Sequence, residues 1–423
     1  MRIAAIITSI LLFVATACDD DAKIASKEVT FKIVYPDEIA GAAVYDETIE
    51  IVDRSFGVRY TFDRTDNVEL AEGYYECTYS ASVTLEDGKE YELVGYNSSV
   101  KVTQDQEIEL KAYLTKDADD FVIEEVFYTG TVYSSGKTYV GDQYLKIYNN
   151  TDHTLYADGL AIFESKFKSV SKYEYTPDIM STHFATDAVY VVPGDGDDHP
   201  IEAGESILIC DVGIDHRNIN PNSFDLSGAD FEWYDVSSSA SNQDIDSPTV
   251  ENLDKWCCYT NSIWVLHKSG YCTYAIGRMQ VDLDTFVKEY VYDYTYQIVT
   301  TAGTFDMSGV NTWKIPNEWI IDAVTLSVSD VYQWNVIDAS IDRGYAQCGD
   351  YDKDANRYFK SVRRKMLYVT SDGRRVLKDT NNSTDDFNRS CIASVIEEQG
   401  TPINEDGTCA DVVTYDGVTP KEQ

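Results

Sequence analysis

The sequence predicts an all-β protein built as two antiparallel β-sandwiches in tandem, the second with long insertions. Three observations carry that reading. Between Glu28 and Leu114, seven short runs alternate apolar and polar residues: "VTFKIVY", "TIEIVD", "VRYTF", "YYECTYSASVTL", "KEYELVGY", "SSVKVT" and "EIELKAYL". Gly, Asp and Asn turns separate them every 8 to 12 residues, the pattern of a small antiparallel sandwich. The chain holds 32 Tyr, a residue that favours strands and tolerates half-burial through its polar end. Helical periodicity is thin: "VDLDTFVKEYV" from Val281 has some 3.6 spacing, but its continuation reads as a strand.

Composition sets the class. A 423-residue chain implies two or three domains, and 43% hydrophobic content is enough to build their cores. The net charge is −39, from 34 basic and 73 acidic residues. Phosphate contacts need cations, so nucleic acid is excluded as a partner. High negative charge suits a well-solvated surface protein.

The N-terminus specifies an address. Arg2 precedes the apolar run "IAAIITSILLFV", and "ATA" stands directly before Cys18, the layout of a secretory signal. The run is too short to span about 30 Å of hydrocarbon. Residues 1–17 therefore read as a signal peptide. A small-residue triplet ending in Cys resembles a bacterial lipobox, which implies cleavage to leave Cys18 as a lipidated first residue and the membrane as a partner. "DDD" at Asp19–Asp21 is similar to the export signal of Bacteroidota surface lipoproteins, which implies the outer face of the outer membrane; a plain solvated tether is the alternative. Residues 18–27 form that acidic tether, polar and without periodicity.

"TKDADD", Thr115 to Asp120, marks the domain boundary. It divides a first sandwich over residues 28–116 from a second over 117–390, with insertions at about 165–200 and 225–312 and a polar tail over 391–423. In the first, "GAAVYDETIEI", "YYECTYSASV" and "EIELKAYL" resemble the transthyretin-like domain of carboxypeptidase-regulatory type. In the second, "DQYLKIYNNTDHTLYADGLAIFES", "IEAGESILI", "IPNEWIIDAVTLS", "SVRRK" and "LKDTNNSTDDF" follow in order. They resemble a lamin-tail domain, which implies an immunoglobulin-like sandwich. The combination is similar to a Bacteroidota lipoprotein family of unknown function, and "IDHRNINPNSFDLSGADFEWYD" is its most specific segment. The anchor and the two-sandwich build, with the missing catalytic motifs, lead to the expectation of a surface protein that binds a ligand or partner; a role as accessory to an outer-membrane transporter or another surface protein is drawn by analogy.

No GxSxG, HExxH, Walker loop, GxGxxG or CxxCH is present, so an enzyme is not expected. An adhesive or structural surface protein is the alternative, followed by an enzyme with a site of unfamiliar form. Four features invite ligand chemistry. "YVYDYTYQ" places Tyr290, Tyr292, Tyr294 and Tyr296 on one strand face, either filling a core and its rim or stacking on a sugar or aromatic ligand. Between Lys353 and Lys378 nine bases, Arg363, Arg364 and Lys365 among them, stand against Asp354 and Asp372. They either pair with the acidic stretch Asp187–Asp254, sixteen acids to one base, or form an anion site. No cofactor is required, but "GDYDKDANRY" places Asp350, Asp352, Asp354 and Asn356 like the start of a Ca2+ loop, without its Gly at the sixth and Glu at the twelfth position. "GDGDDHP", with Asp195, Asp197 and Asp198, is a second Asp-rich turn, and for both the alternative is a solvated turn. Finally, eight cysteines besides Cys18 permit disulfides, with Cys258–Cys272 and Cys391–Cys409 the easiest local pairs; Cys257, Cys258, His267 and Cys272 make a poor zinc set, since adjacent Cys seldom ligate one ion.

Overall fold

The computed structural model describes residues 26–401 apart from 64–66, 86–87, 116–119 and 311. The signal peptide, Cys18, most of the tether, and Cys409 with any pairing to Cys391 lie outside the described residues. The fold is all-β, as the alternation predicts. No described helix is long and apolar enough to cross a membrane.

Residues Ser26–Thr115 form the first sandwich from β1 (Ser26–Val34), β2 (Val44–Asp53), β3 (Arg59–Asp63), β4 (Val68–Ala71), β5 (Gly73–Thr84), β6 (Glu90–Val102) and β7 (Gln106–Thr115), hydrogen-bonded in the order β3-β2-β5-β6-β7-β1-β4. Strand β7 joins the two layers. Its C-terminal half pairs antiparallel with β6, and its N-terminal half pairs parallel with β1. The alternation closes the core: in β5, Tyr75, Cys77, Tyr79, Ala81 and Val83 point inward, and the residues between them are more exposed. The sequence pattern differs from the structure in two strands. "KEYELVGY" and "SSVKVT" are one strand, because "NSS" makes a bulge opposite Tyr75–Cys77 and not a turn. The four-residue β4 is too short to show a period.

The second sandwich packs two larger sheets. One runs Glu251–Asn252, Phe231–Glu232, Ser206–Cys210, Tyr144–Asn149, Phe121–Phe127, Lys360–Arg364, Phe387–Ile392; the other runs Asp254–Cys258, His183–Val191, Leu160–Ser165, Thr273–Arg278, Ile320–Thr325. Between them lies one core containing Ile123, Leu145, Ile147, Leu160, Ile162, Tyr190, Trp233 and Trp264. The outer faces are buried as well. In Leu160–Ser165, Ala161 and Phe163 alternate with the core residues and enter a second cluster with Phe167, Phe184, Tyr292, Tyr294 and Trp334. Behind the first sheet, Phe127, Tyr144 and Phe224 pack with Val395 and Ile396. Burial on both faces explains why "LAIFES" lacks the clean alternation of the first sandwich.

Three boundaries move. His183–Val191 is a framework strand, so the first insertion shrinks to about 166–182. Residues 391–401 are not a loose tail: Phe387–Ile392 pairs with Lys360–Arg364, and the helix Ser394–Gln399 buries Val395 and Ile396. Val281's segment contains a helix, Leu283–Glu289, capped by the Asp282 side chain accepting from the Thr285 N–H, before the strand Tyr294–Thr300 begins.

Candidate functional site

The insertions of the second sandwich assemble an aromatic cluster against the outer face of its second sheet. Phe167, Tyr173 and Tyr175 come from the loop after Leu160–Ser165, Tyr292 to Tyr296 from the entry to the hairpin Tyr294–Thr300/Gly303–Gly309, and Trp334 from the loop after Ile320–Thr325. The loop and the hairpin are tied by mutual backbone bonds between Thr176 and Thr295, both 2.9 Å. Phe167 and Tyr175 stack with centroids 3.7 Å apart at 18°, Tyr175 lies 6.0 Å from Trp334 at 24°, and Tyr173 meets Tyr296 at 4.9 Å. The Trp334 indole donates to the carbonyls of Lys168 and Ser171, and the Tyr292 hydroxyl donates to the Pro177 carbonyl. These bonds leave the rings little rotational freedom. Burial lifts the Tyr292 and Tyr294 phenols to about 12, so they stay neutral donors at physiological pH.

A cavity of about 530 Å³ opens between this cluster and the first sandwich. Tyr96, Asn97, Ser98, Lys111 and Tyr113 of β6 and β7 wall one side; Phe167, Tyr173, Tyr175, Tyr292 and Trp334 wall the other. Two arginines clamp the walls together. Arg54 of the first sandwich donates to the carbonyls of Tyr332 and Gln333, and Arg343 of the second donates to the Tyr113 hydroxyl at 2.7 Å. Tyr96, beside Tyr332 and Glu76, is pushed up by burial in the same contact. Charges at the cavity are Glu109, Glu174, Asp178 and Asp338 against Lys111 and Lys172. His183 is held below its usual value by burial and by Lys314, so it is neutral at pH 7. Lys172 lies 5.7 Å over the Trp334 ring.

The residues singled out from sequence fall into three groups. The tyrosine row does not stay on one strand face. Tyr292, Tyr294 and Tyr296 stack in sequence at 5.2 and 6.0 Å, whereas Tyr290 ends the helix and packs on Phe286 and Trp319. Of the four, Tyr292 alone lines the cavity, and Tyr294 and Tyr296 pack behind its wall.

The basic segment is taken up inside the fold. Arg364, with 1% of its side chain exposed, bridges Asp322, Asp379 and Asp386; Arg363 pairs with Glu397 at 2.8 Å and Arg375 with Glu124 at 2.8 Å. Lys365 donates to the Asp385 carbonyl. These carboxylates lie outside the acidic stretch Asp187–Asp254, which pairs instead with Lys166, Arg217 and Lys255.

In the Asp loops the Asp352, Asp354 and Asp198 side chains accept from protein donors. Asp354 accepts from the backbone N–H groups of Asn356 and Asp350, Asp352 accepts from the Tyr271 hydroxyl, and Asp158 organises Gly196, Asp198 and His199. Among the described residues no group of three His, Cys, Asp or Glu side chains is placed to hold a metal. Cys258 and Cys272 are both free thiols, and Cys257 and Cys272 belong to clusters on opposite faces of one sheet.

Sequence reasoning missed Tyr173, Tyr175, Trp334, Tyr96 and Tyr113. One signal was present: "KYEYT" repeats the Tyr alternation of "YVYDYTYQ" in miniature.

Fold and cavity together define a class: a two-domain all-β protein with an aromatic cleft at the domain junction. A model of DUF4876, a protein family of unknown function, matches residues 202–394. A crystal structure of a DUF4876 family protein from Bacteroides thetaiotaomicron VPI-5482 is similar at 19% identity and TM-score 0.52, covering 90% of this chain and 98% of that one. It shares the fold. A C-terminal fragment of the pilus adhesin SpaC from Lactobacillus rhamnosus GG matches at 12% identity and TM-score 0.13, covering 55% of this chain and 96% of that one. No curated protein matches.

Proposed function

We propose that this is a lipid-anchored, non-enzymatic binding protein of the bacterial outer surface that holds its ligand between the two sandwiches. The observation that carries the reading is the interdomain cavity of about 530 Å³ with seven aromatic rings among its lining residues. Pockets of roughly 300–1,000 Å³, largely apolar, preformed and at domain interfaces, are the usual form of a small-molecule site. The Arg54 and Arg343 clamps support preformation, which lowers the ordering cost of binding. The lipobox at Cys18 supports the anchor, and Asp19–Asp21 the outward address. In such a role the partner is an outer-membrane transporter, to which the protein presents its ligand.

Native mass spectrometry of the chain incubated with a mixture of small ligands tests the cleft. Adducts are expected on the wild type and lost in Trp334→Ala, with melting curves to confirm folding; adducts indifferent to that substitution would move the site elsewhere.

An adhesive role is the second reading. The hairpin Tyr294–Thr300/Gly303–Gly309 favours it, because Val299, Phe305 and Met307 stand exposed there. Deleting the hairpin tip would abolish surface adhesion under that reading and leave it unchanged under the first.

A further inference from the structure

The chemistry of the cleft narrows its guest, on the premise that the cleft is a ligand site. Carboxylates outnumber lysines at the cavity, and no arginine is among its described lining residues, so nothing there matches the fork geometry that anionic groups demand. A sulfated, phosphorylated or uronate ligand meets net repulsion. An organic cation is disfavoured for a different reason: the position over the Trp334 face that it would take is already held by Lys172. What remains is an uncharged guest.

The walls then set its shape. Tyr173 and Tyr175 are half-buried rings of the cluster that line the cavity, packed at 4.9 Å on Tyr296 and 3.7 Å on Phe167, so each is backed by another ring. Between and opposite the rings stand short polar groups. The Asn97 carbonyl accepts from the Ser99 N–H, which leaves its amide N–H groups for a guest, and Ser181 and Ser340 line the same space. Flat apolar faces bordered by amide and hydroxyl groups fit a ligand with apolar C–H faces and a hydroxylated edge. That is the construction of a pyranose ring.

We propose that the cleft binds a neutral sugar ring of a glycan in the corner formed by Tyr173 and Tyr175, whose rings stand at 80° to each other, stacked on one, flanked by the other and hydrogen-bonded at its edge. The test is an array of neutral, sulfated or uronate-bearing, and amine-bearing oligosaccharides probed with the full chain, with a set of uncharged aromatic fragments screened in parallel. The neutral oligosaccharides should bind alone. Tyr173→Ala should weaken them about tenfold, the worth of one well-placed ring contact, and Tyr173→Phe should retain them. Tyr175→Ala provides an independent second variant, with melting curves to confirm that each folds. Binding of charged glycans with the same Tyr173 dependence overturns the neutral class and keeps the site. Binding of aromatic fragments and no glycan overturns the sugar and keeps the site. If no probe of any class depends on Tyr173 or Tyr175, both the sugar and the cleft reading fall.

Discussion

Arg364→Met is the sharpest test of how the basic segment is used. The guanidinium is surrounded on every side by acceptors. Its Nε donates to the Ile123 carbonyl at 2.7 Å, Nη1 to the Lys378 carbonyl at 3.0 Å and Asp379 at 3.1 Å, and Nη2 to Asp322 at 2.5 Å. Asp322 belongs to one sheet of the sandwich and Ile123 to the other, so this one side chain couples the two. Methionine fills much of the volume but leaves Asp322, Asp379 and Asp386 without their shared cation, at most 10% of any of these three side chains being exposed. Removing one partner from a buried ionic group costs about 3–5 kcal/mol, because the remaining charges stay desolvated. For a domain of this size each kcal/mol moves the midpoint by about 2–4 °C, so the melting temperature should fall by roughly 6–20 °C. Arg217→Met removes an ion pair that is half exposed in the acidic loop and should shift the midpoint little. Differential scanning calorimetry of both variants makes the comparison. Equal, small shifts would refute the structural role and return Arg364 to the pool of ligand-binding candidates.

Three further outcomes follow from named contacts. Asp142 and Asp342 are buried and accept from Thr131, Ser223, Thr325 and Ser383 donors, with no cation in hydrogen-bonding contact among the described residues; burial lifts them to about 6 and about 7. Because the folded state holds these protons more tightly than the unfolded one, their contribution is complete below about pH 4 and is lost as pH rises through 6 and 7. Urea midpoints should therefore decline over that window, and Asp342→Asn should flatten its upper half; a flat wild-type profile would contradict the assignment. A Cβ on Gly309 would lie 2.1 Å from the Tyr294 ring, so Gly309→Ala should displace that ring from the aromatic cluster and alter the near-ultraviolet circular dichroism, with far-ultraviolet spectra unchanged. Cys18→Ala should move the protein from the membrane fraction to the soluble one, and retention in the membrane would refute the lipid anchor.

Much of the fold was legible because strand alternation is a local property. β5 shows it most clearly, with every second residue from Tyr75 to Val83 in the core. Where both faces of a sheet are covered, as in Leu160–Ser165, alternation disappears and only the apolar run remains. The hydrogen-bonded turn and the bulge use the same residues, which is why "NSS" misled. One of the cleft's seven aromatic lining residues, Tyr292, was visible in the alternate tyrosines. Which of them faces the cavity was not, since Tyr290, Tyr292 and Tyr294 differ only in where a helix ends and a strand begins.

By itself the sequence determined the all-β class and the large excess of acid, and it carries the short motif before Cys18 on which the proposed anchor rests. These depend on periodicity, composition and short motifs, each contained within a few tens of residues. The tertiary structure decided the rest. It paired Arg364 with Asp322, Asp379 and Asp386 and left the acidic insertion to other bases, and it brought Tyr96 and Tyr113 of the first sandwich opposite Tyr173, Tyr175 and Trp334 of the second. Those partners are separated by tens to hundreds of residues along the chain. Their meeting is set by how two sheets and two domains pack, which no local pattern records.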